Sequence, residues 1–167
     1  MTQALSINPN RIEIDEAYMQ MAEVWARRSK SNRKQVGALI VKDKQISSDG
    51  YNGLPAGDLD DVCEVEIPHD PADPFVYGDG RTLATKPEVL HAESNALAKI
   101  AENGGVGAQG GTLYVTMSPC FECAKLIKQS KIKRVVYREE YRVTAGIDFL
   151  RERGVECTRL LPPVDVI

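Results

Sequence analysis

The chain has 167 residues, 43% hydrophobic and 27% charged, which suits one globular domain and excludes a disordered or fibrous protein. Its 21 Lys and Arg against 24 Asp and Glu give a formal charge of −3, contrary to the basic face that a broad grip on nucleic acid needs. No apolar run nears the roughly 20 residues of a membrane helix, and the opening MTQALSINPN lacks the basic start, apolar core and cleavage site of a signal peptide. A soluble, reducing, cytoplasmic setting is expected, with neither nucleic acid nor membrane as partner.

Residues 1–12 are polar, hold Pro9 and read as a loose arm. Asp15 is placed to cap a helix over about 16–28, with Tyr18, Met21, Ala22 and Trp25 on one face. Lys30 to Gln35 is a short basic loop. Val36 to Lys42 reads as a buried strand, and Asp43-Lys44 as a hairpin turn into a second strand over about 45–49. Residues 50–81 carry Pro55, Pro68, Pro71 and Pro74 among glycines and acids, and are predicted to be a long loop insertion. A helix follows over about 91–102, then a glycine-rich connector over 104–111 and a strand over 112–117. Pro119 fits an early helix position, the helix running to about Ser130. A strand over 134–137, a helix over 144–153 stopped by Gly154 and a last strand over 155–160 complete the series. The pattern predicts a single α/β domain over 1–167, its mixed sheet flanked by helices on both faces.

The four cysteines are Cys63, Cys120, Cys123 and Cys157, and in a reducing compartment Cys120-x-x-Cys123 reads as metal or redox chemistry. Cys120 and Cys123, three apart at a helix start, put both sulfurs on one side, where unpaired backbone N–H groups favour thiolate. With His91, opening the preceding helix, they make one nitrogen and two sulfurs. That leaves a tetrahedral zinc one open position, the mark of a catalytic site. Zinc lowers the pKa of a water there to about 7, and Glu93, with no ligand duty, can take its proton. H-x-E with P-C-x-x-C is a general signature of zinc nucleobase deaminases. A redox pair, or a closed structural zinc with Cys63 or His69 as fourth ligand, are the competing readings; Cys157 reads as core.

At these residues the sequence resembles the cytidine deaminase-like superfamily, and more closely its deoxycytidylate (dCMP) deaminase branch. The segment Gly50-Tyr51-Asn52-Gly53-Leu54-Pro55-Ala56-Gly57 is similar to that branch's GYNGxPxG. Arg28-Ser29-Lys30, Gln35-Val36-Gly37-Ala38, His91-Ala92-Glu93 and Pro119-Cys120 with Glu122-Cys123-Ala124-Lys125 also fit, so the likeness spans about residues 15–160. The resemblance implies a three-layer α-β-α fold on a five-stranded mixed sheet. It implies hydrolysis of dCMP to dUMP and ammonia, supplying thymidylate synthesis, with Glu93 moving protons to N3 and to the leaving amine. Asn52 is carried over as a substrate ligand, its other reading being a left-handed turn residue. Ala92 and Ser118, beside the metal ligands, and Tyr141 are implied at the base and sugar. The substrate phosphate needs a cation, the candidates being Lys30, Arg33, Arg138 and Arg142.

The insertion offers Cys63 and His69 but too few ligands for a second closed metal site, unless Asp61 or Glu64 join, so one Zn2+ per chain is expected. By the same resemblance Gly50, Tyr51, Gly53 and Gly57 take part in binding dCTP as activator and dTTP as inhibitor with Mg2+, and the chain forms a homo-oligomer, a homohexamer. The alternatives are a zinc deaminase of cytosine, cytidine or transfer-RNA adenosine, and an inactive zinc-stabilised binding module. A plain turn is the alternative for the glycine segment.

Overall fold

The computed structural model describes residues 11–68, 82–102, 104 and 107–162. A first helix, α1 (Ile14–Ala26), leads into β1 (Gly37–Lys42) and β2 (Gln45–Tyr51). Asp43 and Lys44 both take positive φ, 49° and 63°. That is the turn whose twist matches two antiparallel strands, and it makes a two-residue hairpin. The strands β3 (Glu64–Ile67) and β4 (Thr82–Thr85) pair antiparallel as a separate ribbon. The chain continues through α2 (Ala92–Glu102), β5 (Thr112–Met117), α3 (Phe121–Gln129), β6 (Arg134–Glu139), α4 (Ala145–Glu152) and β7 (Glu156–Arg159).

The main sheet has five strands in the order β2-β1-β5-β6-β7. β1 runs antiparallel to both neighbours, whereas β5, β6 and β7 are parallel. Along β1 the side chains alternate between two cores, which is why the strand reads as an uninterrupted apolar run. Ala38 and Ile40 join Ala96, Ala124, Ile127, Ile147 and Leu150, under α2, α3 and α4. Leu39 and Val41 join Tyr18, Met19 and Ala22, under α1. The layers are therefore one helix, the sheet, then three helices, the expected three-layer arrangement.

Two sequence expectations are corrected. The insertion over 50–81 is not all loop, since it contributes β3, which pairs with β4 just after it; both strands are hidden by short length and by prolines nearby. The buried face of α1 also differs: Tyr18, Met19, Ala22 and Ala26 are buried, while Met21 is 46% and Trp25 36% exposed. The small Ala22 and Ala26 let the helix lie on Gly37, where a Cβ would stand 2.1 Å from the Ala22 carbonyl oxygen. Trp25 instead turns toward β2 and donates its indole N–H to Asp49. No helix among the described residues is long and apolar enough to cross a membrane.

Candidate metal centre and active site

β5 lies between an antiparallel and a parallel neighbour, and the candidate centre forms just beyond its carboxyl end, where α3 begins. Cys120 is the N-cap of α3, with extended backbone at φ −69° and ψ 170°, and Cys123 lies in the first turn. The helix thus starts at Phe121 rather than Pro119, and the buried Pro119 belongs to the approach. His91 immediately precedes α2 and is fixed from behind. Gly53 and Leu90 exchange backbone hydrogen bonds of 3.1 and 2.8 Å, bridging the end of β2 to the residue before the histidine. Asn95 adds a side-chain bond of 3.0 Å to the Tyr51 carbonyl.

The His91 Nδ1 atom stands 3.4 Å from the sulfur of Cys120 and 3.4 Å from that of Cys123. All three donor atoms lie within 4.8 Å of one another. Tetrahedral zinc with ordinary Zn–N and Zn–S bonds requires N to S separations of about 3.6 Å, so this triangle is the right size. The donor set is also right, two soft thiolates and an imidazole. Among the described residues this is the one group of His, Cys, Asp and Glu so clustered. The thiols answer one another: a hydrogen bond from Cys123 draws the Cys120 thiol down to about 3, with burial opposing and His91 assisting. Cys123 is pushed the other way by the same bond and by burial.

Glu93 sits in the first turn of α2 and is 4% exposed. Burial pushes its carboxyl up to about 6, against its own backbone N–H and the nearby His91, which pull it down. A carboxyl with that balance can hold and release a proton near neutral pH.

Two glycines set the backbones that carry the metal ligands. A Cβ on Gly50 would stand 2.2 Å from the Ala92 carbonyl oxygen, and one on Gly146 would stand 2.1 Å from the Pro119 carbonyl oxygen. Gly50 is therefore a contact between β2 and α2. Gly146, missed in the sequence, is a contact between α4 and the cysteine segment; a glycine near the start of a predicted helix was its signal.

The remaining candidates surround this centre unevenly. Ala92 and Ser118 are buried, and the Ser118 hydroxyl accepts the Tyr141 backbone N–H at 2.8 Å. Arg142 lies with its guanidinium 5.8 Å from the Tyr141 ring centre. The Asn52 side chain accepts from the Val36 N–H and donates to the Lys34 carbonyl, both at 2.8 Å. It does not adopt the left-handed backbone of a turn residue. Lys30 pairs with Asp61 and lines a cavity shared with Arg28, Tyr51, Gly53 and Gly57. Arg138 faces away, onto α1: its guanidinium bonds Glu16 at 2.8 Å, Glu23 at 2.7 Å and the Leu160 carbonyl at 3.1 Å. Those contacts remove it from the phosphate candidates. Cys63 is buried, Asp61 is paired with Lys30 and Glu64 is bonded to the 31–33 turn; His69 lies outside the described residues.

Comparison with known proteins agrees with this geometry. A profile of the cytidine and deoxycytidylate deaminase zinc-binding region matches residues 12–139. A deoxycytidylate deaminase of Mycobacterium phage D29 is 39% identical over 132 residues, 78% of this chain and 98% of its own. The human deoxycytidylate deaminase is 36% identical over 158 residues, 90% of this chain and 82% of its own. Among solved structures, the dCMP deaminase of cyanophage S-TIM5, in complex with dCMP and dUMP, superposes with a TM-score of 0.76 at 41% identity, covering 93% of this chain and 100% of that one. With a His-Cys-Cys triangle sized for zinc and a buried acid beside it, the chain belongs to the cytidine and deoxycytidylate deaminase family, a family of hydrolytic deaminases.

Proposed function

We propose that this protein hydrolyses dCMP to dUMP and ammonia, with one catalytic zinc per chain. The observation that carries the reading is the buried Glu93 beside the His91, Cys120 and Cys123 triangle. The deoxycytidylate branch is supported by relatives at 36–39% identity and by the S-TIM5 enzyme's complex with dCMP and dUMP.

Held by His91, Cys120 and Cys123, zinc would supply Lewis-acid activation of a water near neutral pH. Glu93 takes a proton from that water and delivers it to N3 of the cytosine, so that the ring accepts electrons as the water oxygen bonds C4. Glu93 then carries the second proton to the exocyclic nitrogen. The C4–N bond breaks, ammonia leaves and C4 keeps the oxygen as a carbonyl. The Ser118 hydroxyl accepts the Tyr141 N–H and still has its own O–H to donate to a base, while Ala92, with no polar side chain, offers a base its backbone. Asn52 and Tyr141 serve the sugar, and Lys30 and Arg142 are the cations for the phosphate. The product feeds thymidylate synthesis.

The cavity lined by Tyr51, Gly53, Gly57 and Arg28, and by Asp58, Asp60 and Asp61, supports regulation by dCTP as activator and dTTP as inhibitor. Magnesium would bridge triphosphate oxygens while keeping several waters. Gly50 contributes by packing on α2 rather than by facing this cavity. In a homohexamer, sites that bias one shared equilibrium give a sigmoidal dCMP curve that dCTP makes hyperbolic. An ultraviolet assay decides both readings. dCMP should be consumed and cytidine spared, and turnover of cytidine at a comparable rate sinks the nucleotide assignment. A Cβ at Gly53 meets nothing nearer than the Tyr51 ring at 4.0 Å, so Gly53→Phe should fold. It should lose the dCTP response while keeping turnover at saturating dCMP. A hyperbolic curve indifferent to both triphosphates with Mg2+ present would leave the segment a plain turn.

A further inference from the structure

The insertion carries a buried carboxylate that the reaction itself does not use. Glu64 opens β3 and is 4% exposed. Its carboxylate accepts the Ser31 hydroxyl at 2.5 Å and the backbone N–H groups of Asn32 and Arg33 at 3.0 and 3.3 Å; the Asn32 amide reaches it at 3.5 Å. A carboxylate withdrawn from water this far is costly unless its oxygens are satisfied, and here one short turn satisfies them. Convergent N–H and O–H donors on one carboxylate fix backbone direction as well as position.

The far side of that turn is fixed as well. Ser29 donates its hydroxyl to the Asn52 carbonyl at 2.8 Å, and the Asn52 side chain spans Lys34 and Val36. Asn52 adjoins Gly53, which is bridged to Leu90 beside the metal ligand His91. Lys34 reaches across to Glu139 at 2.5 Å, and the Glu139 carbonyl accepts the Ser118 N–H at 2.8 Å, two residues before Cys120. The 29–36 segment is therefore a strap held by Asn52 at both ends, through Ser29 and through Lys34 and Val36, and by Glu64 at its middle; its Lys30 lines the cavity shared with Tyr51 and Gly53.

We propose that Glu64 is a positioning residue for substrate: from the insertion it holds the Ser31–Arg33 turn in the one conformation in which the strap can receive a phosphorylated ligand. The inference rests on the dCMP reading above. Glu64 touches no reacting atom. Its effect belongs in the binding of substrate and not in the chemical step, because the Glu64 carboxylate bonds the 31–33 turn, while Glu93 and Cys123 sit on α2 and α3, packed against the sheet core.

The test uses the zinc-loaded full chain. Glu64→Ala leaves four donors without their acceptor, and KM for dCMP should rise by about tenfold or more. The kcat should stay within about threefold, with zinc content unchanged. Glu64→Gln keeps an amide oxygen that can accept from Ser31 and Asn32, so KM should return to within about threefold of wild type. Amide hydrogen exchange at Asn32 and Arg33 should be slow in wild type and Glu64→Gln, and fast in Glu64→Ala. Ser31→Ala removes one donor from the other side, and should raise KM in the same direction should Glu64→Ala fail to fold. Fast exchange at the turn with an unchanged KM overturns the proposal, as does a loss confined to kcat. A wild-type protein inactive on dCMP refutes the substrate reading as well, which separates the two failures.

Discussion

Glu93→Gln should keep its zinc and its fold and lose turnover by at least about 10²–10⁴, the contribution of one positioned proton transfer, with more expected because Glu93 serves two. The amide has the size of the carboxyl but cannot accept and return a proton. Glu93 is buried, so no solvent base replaces it. The folded state raises this carboxyl from 4.5 to about 6, so in the metal-free protein stability falls as pH rises between those two values and the cost is fully present above about 6. The glutamine variant should therefore unfold at neutral pH no more easily than wild type. Metal analysis, circular dichroism and the ultraviolet assay on one preparation make the comparison, and activity within tenfold of wild type refutes the role of Glu93.

Replacing either thiolate should strip the site of metal. Cys120→Ser and Cys123→Ser substitute a neutral hydroxyl for a soft anionic ligand. The loss of zinc affinity should exceed the roughly 10–100-fold typical of disturbing only a ligand's hydrogen-bond partner. Cys123→Ser should be the more damaging to the fold, since Cys123 is 3% exposed while Cys120 is only partly buried. Elemental analysis of dialysed protein should return one zinc per wild-type chain and far less for both variants. Zinc retained in full by a serine variant excludes that cysteine as a ligand, and two tightly held ions per wild-type chain would reveal a second centre.

Much of this site was legible because its chemistry depends on residue type at short spacing. His91, Glu93, Cys120 and Cys123 lie within one or two turns of helix starts, so local rules place them. The β1–β2 hairpin was legible for a similar reason, since Asp43 and Lys44 directly follow the apolar run of β1. What stayed hidden depends on distance along the chain. Glu64 finds its donors 31–33 residues away, and nothing local separates it from the acids around it. Arg138 looked like a mouth residue because it ends a strand near the site. Its direction was set by strand alternation and by Glu16 and Glu23 on α1, more than a hundred residues earlier. The buried face of α1 was misread because two alanines outweigh a tryptophan when a helix must lie on a glycine.

The contacts of Gly50 and Gly146 bear on how this sequence can drift. Neither residue needs glycine's freedom of φ, for neither lies in the left-handed region; what each lacks is room for a first carbon. Exchange with alanine, the mildest change elsewhere, is thus a collision with a carbonyl oxygen next to a metal-bearing segment. In a saturation library selected for activity, these two positions should tolerate as little variation as the ligands themselves, and should reject alanine as firmly as leucine. Gly57, at φ +88° with open space around it, should behave differently and admit asparagine. Free acceptance of alanine at Gly146 would mean that the cysteine segment can shift without consequence for the metal.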